Sequence, residues 1–158
     1  MNDKALNYTL NYLRNPHTRW EVLNKLRKKS VDEDDIDEII DYLTEKGYID
    51  DEAYMKLFID YHLFESGDSI KEVSYKLLRK GIDKDMMNRI FSDVQDYNES
   101  EIIYQNILRK FEDMDLSDKT IQLKVKKYFY TRGFSYESIN IAVEKIIETF
   151  SGSVNDMD

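Results

Sequence analysis

One feature constrains this chain more than any other: its apolar positions repeat at a fixed interval of about 50 residues. Shifting Val22, Leu26, Val31, Ile36, Ile39, Ile40 and Leu43 forward by 51 reaches Val73, Leu77, Ile82, Met87, Ile90, Phe91 and Val94. A further shift of 52 reaches Val125, Phe129, Phe134, Ile139, Ala142, Val143 and Ile146. All fourteen target positions are apolar in a chain that is 41% hydrophobic. By chance that is on the order of a few in a million, before discounting for choice of offset and helical periodicity. Asp32, Asp83 and Ser135 occupy equivalent positions, and Lys80-Gly81-Ile82 matches Arg132-Gly133-Phe134. Repeat one instead has Ser30 where the later copies have glycine. If Ser30 makes the same left-handed turn, it does so at a cost of about 1 kcal/mol.

Within each copy the apolar spacing follows the 3.6-residue period, and five glycines and one proline leave few sites for other structure. The pattern predicts nine helices. Asn15-Pro16 closes the first, and Thr18-x-x-Glu21 is a capping box opening the second. Asp32 caps a third that stops at Gly47, and a fourth runs from Asp50-Asp51 to about Glu65. Ser69-x-x-Glu72 is a second capping box, Gly81 a stop and Asp83 the next cap. Asn98 opens the seventh helix, Ser117 the eighth, and Ser135 a ninth that reaches about Phe150. A unit of three helices is too small to bury its own stripe and must lean on its neighbours. The expected architecture is therefore all-α, with three tandem three-helix, helix-turn-helix-like repeats at about 1–47, 48–97 and 98–150 forming a curved, elongated array. Residues 151–158 are expected to be a disordered tail.

Charge is sorted by helix. Residues 1–30 carry a net of +5, residues 31–68 a net of −12 and residues 119–134 a net of +5, within an overall −9. The middle helix of each repeat is the basic one: Arg19, Lys25, Arg27, Lys28 and Lys29; then Lys71, Lys76, Arg79 and Lys80; then Lys119, Lys124, Lys126, Lys127 and Arg132. Compensation of the helix dipole explains Lys28, Lys29, Arg79, Lys80 and Arg132, which lie near helix C-termini. It leaves Arg19, Lys71 and Lys119 unexplained, because these lie near helix starts. Like charge gathered on one side repels itself unless a polyanion meets it, which makes these helices the candidate contact face.

Catalytic chemistry finds little support. His17 and His62 are far apart in sequence with no nucleophile pattern beside either, the chain has no cysteine, and no glycine loop could cradle phosphate. Asp32-Glu33-Asp34-Asp35 lacks the glycine and spacing of a calcium loop and fits a capped helix start better. Asp50-Asp51 likewise opens a helix. No cofactor is expected. No apolar run is long enough to span a bilayer, and Met1-Asn2-Asp3-Lys4 leads into a polar helix without a signal-peptide core, so a soluble, cytoplasmic monomer is expected. Trp20 and the twelve tyrosines raise base stacking as an idea, but aromatics at helical spacing usually belong to a core, and none is singled out.

Taken together, Gly47-Tyr48-Ile49-Asp50-Asp51-Glu52-Ala53-Tyr54, the Gly67 break, Leu77-Leu78-Arg79-Lys80-Gly81-Ile82 and Arg132-Gly133-Phe134-Ser135 resemble the RecX family of regulatory proteins. The likeness extends from about Ala5 to Phe150. It implies a non-enzymatic protein that binds the RecA recombinase filament on single-stranded DNA and restrains it. ATP hydrolysis, strand exchange and co-protease activity would fall through blocked extension or promoted disassembly. On that basis the filament, with the single-stranded DNA inside it, is the expected partner, and Lys126, Lys127 and Arg132 are the first candidates for contact. The competing expectation is a helical protein-protein adaptor with no DNA role, its lysines merely solvated.

Overall fold

The turn between the second and third helices of each repeat is built the same way three times. The amides of Val31, Ile82 and Phe134 donate to the carbonyls of Leu26, Leu77 and Phe129, five residues back. The residue just before each donor is left-handed: Ser30 at φ 59°, Gly81 at 78° and Gly133 at 100°. These are Schellman closures, in which the left-handed residue lets the chain turn back to satisfy carbonyls orphaned at the helix end. Ser30 makes the turn despite its Cβ, as the repeat predicts.

The computed structural model describes residues 1–155, with side chains described through Ser151. Among these, nine α-helices are present: α1 (Asp3–Tyr12), α2 (Arg19–Lys28), α3 (Glu33–Glu45), α4 (Asp51–Ile59), α5 (Ile70–Arg79), α6 (Lys84–Ser92), α7 (Glu99–Lys110), α8 (Lys119–Thr131) and α9 (Tyr136–Asn155). Local side chains set most of the starts. Asn2 accepts from the Ala5 amide, Asp50 from Ala53, Asp83 from Asp85 and Asn98 from Glu101. Both capping boxes form: Thr18 and Glu21 exchange bonds, as do Ser69 and Glu72.

Three boundaries differ from the sequence pattern. The fourth helix is α-helical only to Ile59 and continues as a π-helix over Asp60–Glu65, which closes where the Ser66 amide donates to the Tyr61 carbonyl at 2.8 Å. Asp118, not Ser117, caps α8, accepting from the Thr120 amide at 2.8 Å, while the Ser117 hydroxyl and amide both turn back onto Asp115. The last helix runs five residues beyond Phe150, to Asn155; of the tail expected at its end, residues 156–158 lie outside the described residues.

By compactness the chain forms two units, residues 1–59 with 74–94 and residues 60–73 with 95–158, so the division passes through the middle repeat. In the first, Ala5, Val22, Leu26, Ile36, Ile39, Ile40, Leu43 and Ile49 form one buried cluster. In the second, Ile103, Ile107, Leu116, Val125, Phe129, Phe134, Ile139, Ala142, Val143 and Ile146 form another. Eighteen of the 21 positions that define the repeat are buried; only Val31, Phe91 and Val94 are partly open. Among the described residues no helix is long and apolar enough to cross a membrane.

Candidate nucleic-acid interface

Each capping box has a second task, and it decides which basic residues are available to a partner. In the first unit the Thr18 hydroxyl donates to the Lys80 carbonyl at 2.7 Å, and the Lys80 ammonium lies 3.6 Å from Glu21. Burial alone would lower the Lys80 pKa, but the Tyr54 hydroxyl and Glu21 outweigh it and the ammonium is held above the usual lysine range. In the second unit the Ser69 hydroxyl donates to the Arg132 carbonyl at 2.6 Å. The Arg132 guanidinium reaches Glu72 at 3.2 Å and Asp68 at 3.2 Å, and Nη1 donates to the Tyr128 hydroxyl at 2.9 Å. Burial works against the guanidinium charge here too, and Glu72 overrides it, so the pKa is raised. Asp68 also hydrogen-bonds His62 Nδ1 at 2.9 Å. Lys80 and Arg132 therefore bind turns to helix starts within the fold. The Arg132 side chain is only 18% exposed.

The same junction fixes two glycines. A Cβ on Gly81 would collide with the Trp20 Cβ and ring, and one on Gly133 would stand 2.8 Å from the Lys71 Cβ. Trp20 and Lys71 are equivalent positions one repeat apart, so the close approach of turn to helix is itself a repeated feature. Ser30, which carries a Cβ, is exposed.

The other candidates divide by how far they are already engaged. Arg27 is paired with Glu33 through Nε at 2.8 Å and Nη2 at 3.2 Å. Lys25 lies over the Tyr12 ring at 5.1 Å and Arg79 over Tyr75 at 5.7 Å. The Arg19 amide donates to Asp51 at 2.8 Å, and Lys76 is exposed on α5. Arg19, Lys28 and Lys71 carry no ion pair among the described residues, but each stands apart from the others on its helix or repeat. On α8 the situation is different. Lys119, Lys124, Lys126 and Lys127 all lack an ion pair or ring contact among the described residues, and the last three lie within four positions of one another.

Helical geometry puts most of this set on one face. At about 100° per residue, Lys119, Leu123, Lys126, Lys127 and Tyr130 fall within a sector of about 100°, turned away from buried Val125 and Phe129, with half-buried Lys126 at the edge nearest the core and Lys124 to the other side. Leu123 is 67% exposed and Tyr130 53% exposed, so the lysine face has apolar surface embedded in it. The Tyr130 ring meets Tyr136, the first residue of α9, with centroids 4.8 Å apart and planes inclined by 41°. Sequence reasoning did not single out this pair. A sign of it was present: Tyr130 and Tyr136 occupy the positions of Arg27 and Glu33 in repeat one, which also touch. No group of three or more His, Asp or Glu side chains suited to hold a metal ion exists among the described residues.

A model of the family described as "RecX, first three-helix domain" matches residues 5–43. Regulatory protein RecX of Clostridium botulinum is 33% identical over 140 residues, covering 85% of this chain and 64% of its own length. The Chlorobium limicola protein of the same name is 26% identical, covering 89% of this chain and 87% of its own length. The crystal structure of RecX from Lactobacillus salivarius superposes with a TM-score of 0.75 at 28% identity, covering 90% of this chain and 94% of that one. The chain belongs to the RecX family. Among the described residues its regular structure is entirely helical. It spans 64% and 61% of the lengths of the Clostridium botulinum and Caldanaerobacter RecX proteins. The RecX resemblance read from the Gly-Tyr-Ile-Asp-Asp segment and the two glycine turns is thus supported along most of the chain.

Proposed function

We propose that this RecX family chain binds the RecA filament assembled on single-stranded DNA and restrains its ATP hydrolysis, strand exchange and co-protease activity. The observation that carries this reading is the α8 face, where four lysines stand without internal carboxylate partners while the basic residues at the repeat junctions are consumed by the fold. Unpaired like charges held together repel one another in the free protein and gain when a polyanion arrives. The contact set is therefore Lys119, Lys124, Lys126 and Lys127, with Lys80 and Arg132 serving the framework. An α8 face that meets phosphate releases counterions, so affinity falls steeply with salt. For single strands the slope of log affinity on log salt changes by about 0.7 for each phosphate contact.

The test is binding to preformed RecA filaments on single-stranded DNA, measured by co-sedimentation across a salt series. Lys126→Gln/Lys127→Gln should flatten the slope by about 1.4, two contacts at roughly 0.7 each. A slope unchanged by the double substitution would refute the phosphate contact and favour an apolar protein-protein interface.

A further inference from the structure

The slot formed by the sixth residue after a helix position, across the repeated left-handed turn, is filled differently in each repeat. In repeat one it holds Arg27 and Glu33, an exposed ion pair closed by two hydrogen bonds. In repeat two it holds Leu78 and Lys84, and in repeat three Tyr130 and Tyr136. An ion pair suits a solvated turn. Two tyrosine rings there leave 53% and 58% of their residues' surface in water, although each phenol could have been any polar side chain. Their planes are inclined by 41°, and more than half of each residue's surface is open to solvent.

The setting of these rings points to what they meet. Tyr130 continues the line of Leu123, Lys126 and Lys127 along α8, and these lysines have no internal ion pair. A row of cations beside exposed aromatic rings matches the two halves of a single-stranded nucleotide: phosphate for the ammonium groups, unpaired base for the ring. A duplex offers phosphate but hides its base faces, and an acidic peptide offers charge without flat π surfaces.

We propose that Tyr130 and Tyr136 form a base-stacking platform for single-stranded nucleic acid at the C-terminal end of the α8 lysine face. This rests on the preceding reading only in taking nucleic acid as the partner of α8. Stacking tolerates any sequence, because every base has a π face, so the platform adds affinity without sequence preference.

The experiment compares binding of the full chain to a labelled oligothymidylate and to an abasic strand of equal phosphate number, by fluorescence anisotropy at low salt. The wild-type chain should prefer the strand with bases by about ten-fold or more. Tyr130→Arg/Tyr136→Glu transplants the ion pair of repeat one at unchanged net charge, and should abolish the preference while preserving the thermal midpoint and the affinity for the abasic strand. Tyr130→Phe/Tyr136→Phe should retain the preference. Equal binding of the two strands, an undiminished preference in the ion-pair variant, or no binding to either strand would overturn the platform. Inhibition of RecA without any base preference would overturn the platform and leave the filament reading standing; base preference without inhibition would do the reverse.

Discussion

The Ser69 hydroxyl donates to the carbonyl of Arg132 at 2.6 Å across 63 positions of sequence, while accepting from the Glu72 amide at 3.0 Å. One side chain therefore caps α5 and clasps the turn after α8. Thr18 does the same for α2 and Lys80. Both residues are buried, so removing either hydroxyl leaves polar backbone groups without partners. Ser69→Ala and Thr18→Ala should each lower stability by about 1–2 kcal/mol, measured by urea denaturation. Ser69→Thr should recover most of the loss.

The three left-handed turns respond in opposite directions to exchange of glycine and a side chain. Gly81→Ala and Gly133→Ala each combine a strained backbone with a Cβ driven into Trp20 or Lys71, and should cost about 2 kcal/mol or more. Ser30→Gly relieves the left-handed strain at an exposed position and should stabilise by about 0.5–1 kcal/mol. Melting midpoints of the three variants, compared side by side, give the order directly.

Arg132 and Lys127 are both basic residues of one segment, yet among the described residues only Arg132 is held by carboxylates of the fold. Arg132→Ala strips buried Asp68 and half-buried Glu72 of their guanidinium and should destabilise by about 2–3 kcal/mol. Lys127→Ala touches an exposed side chain without an ion pair, and its unfolding curve should superpose on wild type within about 0.5 kcal/mol. Equal destabilisation by the two would contradict the division between framework and contact residues.

The Tyr97 hydroxyl is buried without a hydrogen-bond partner among the described residues, while its ring meets Phe64 edge-on at 6.3 Å. Burial first, and the charge of Glu99 second, push its pKa above the ordinary tyrosine value of 10.0. The unfolded chain ionises this phenol at lower pH than the folded one, so the neutral ring favours folding below about pH 10 and that contribution is lost as pH rises above it. Tyr97→Phe should be neutral or stabilising by up to about 1 kcal/mol at pH 7. It should also soften the loss of stability above pH 10, followed by denaturation at stepped pH.

Local chemistry made much of this fold legible. Thr18, Ser69, Asp32, Asp83 and Asn98 announce their helices because a cap acts on an amide two or three residues ahead, within reach of any sequence window. The left-handed Ser30 turn was legible because its neighbours in the repeat have glycine. Ser117 misled because Asp115 engages it in a turn and leaves Asp118 to cap. The π-helix over Asp60–Glu65 leaves no such local mark. Beyond it, buried Asn106 from α7 donates to the Gly67 carbonyl at 3.0 Å and occupies the space a Cβ on Gly67 would need, a contact 39 residues away in sequence. For the proposed site, the sequence identifies which helices are basic but does not separate Lys126 from Arg132, which Glu72 and Asp68 engage. That distinction depends on Glu72 and Asp68, whose second role is set by packing some 60 residues away.

We propose that the α8 lysines restrain a RecA filament. The most direct test is single-stranded-DNA-dependent ATP hydrolysis by the cognate RecA, with this chain titrated from far below to above stoichiometric ratio beside Lys126→Glu/Lys127→Glu. Inhibition is expected already at substoichiometric ratios, with its loss in the double variant at an unchanged thermal midpoint. Inhibition of equal strength by the variant, or none by the wild-type chain at any ratio, would contradict it.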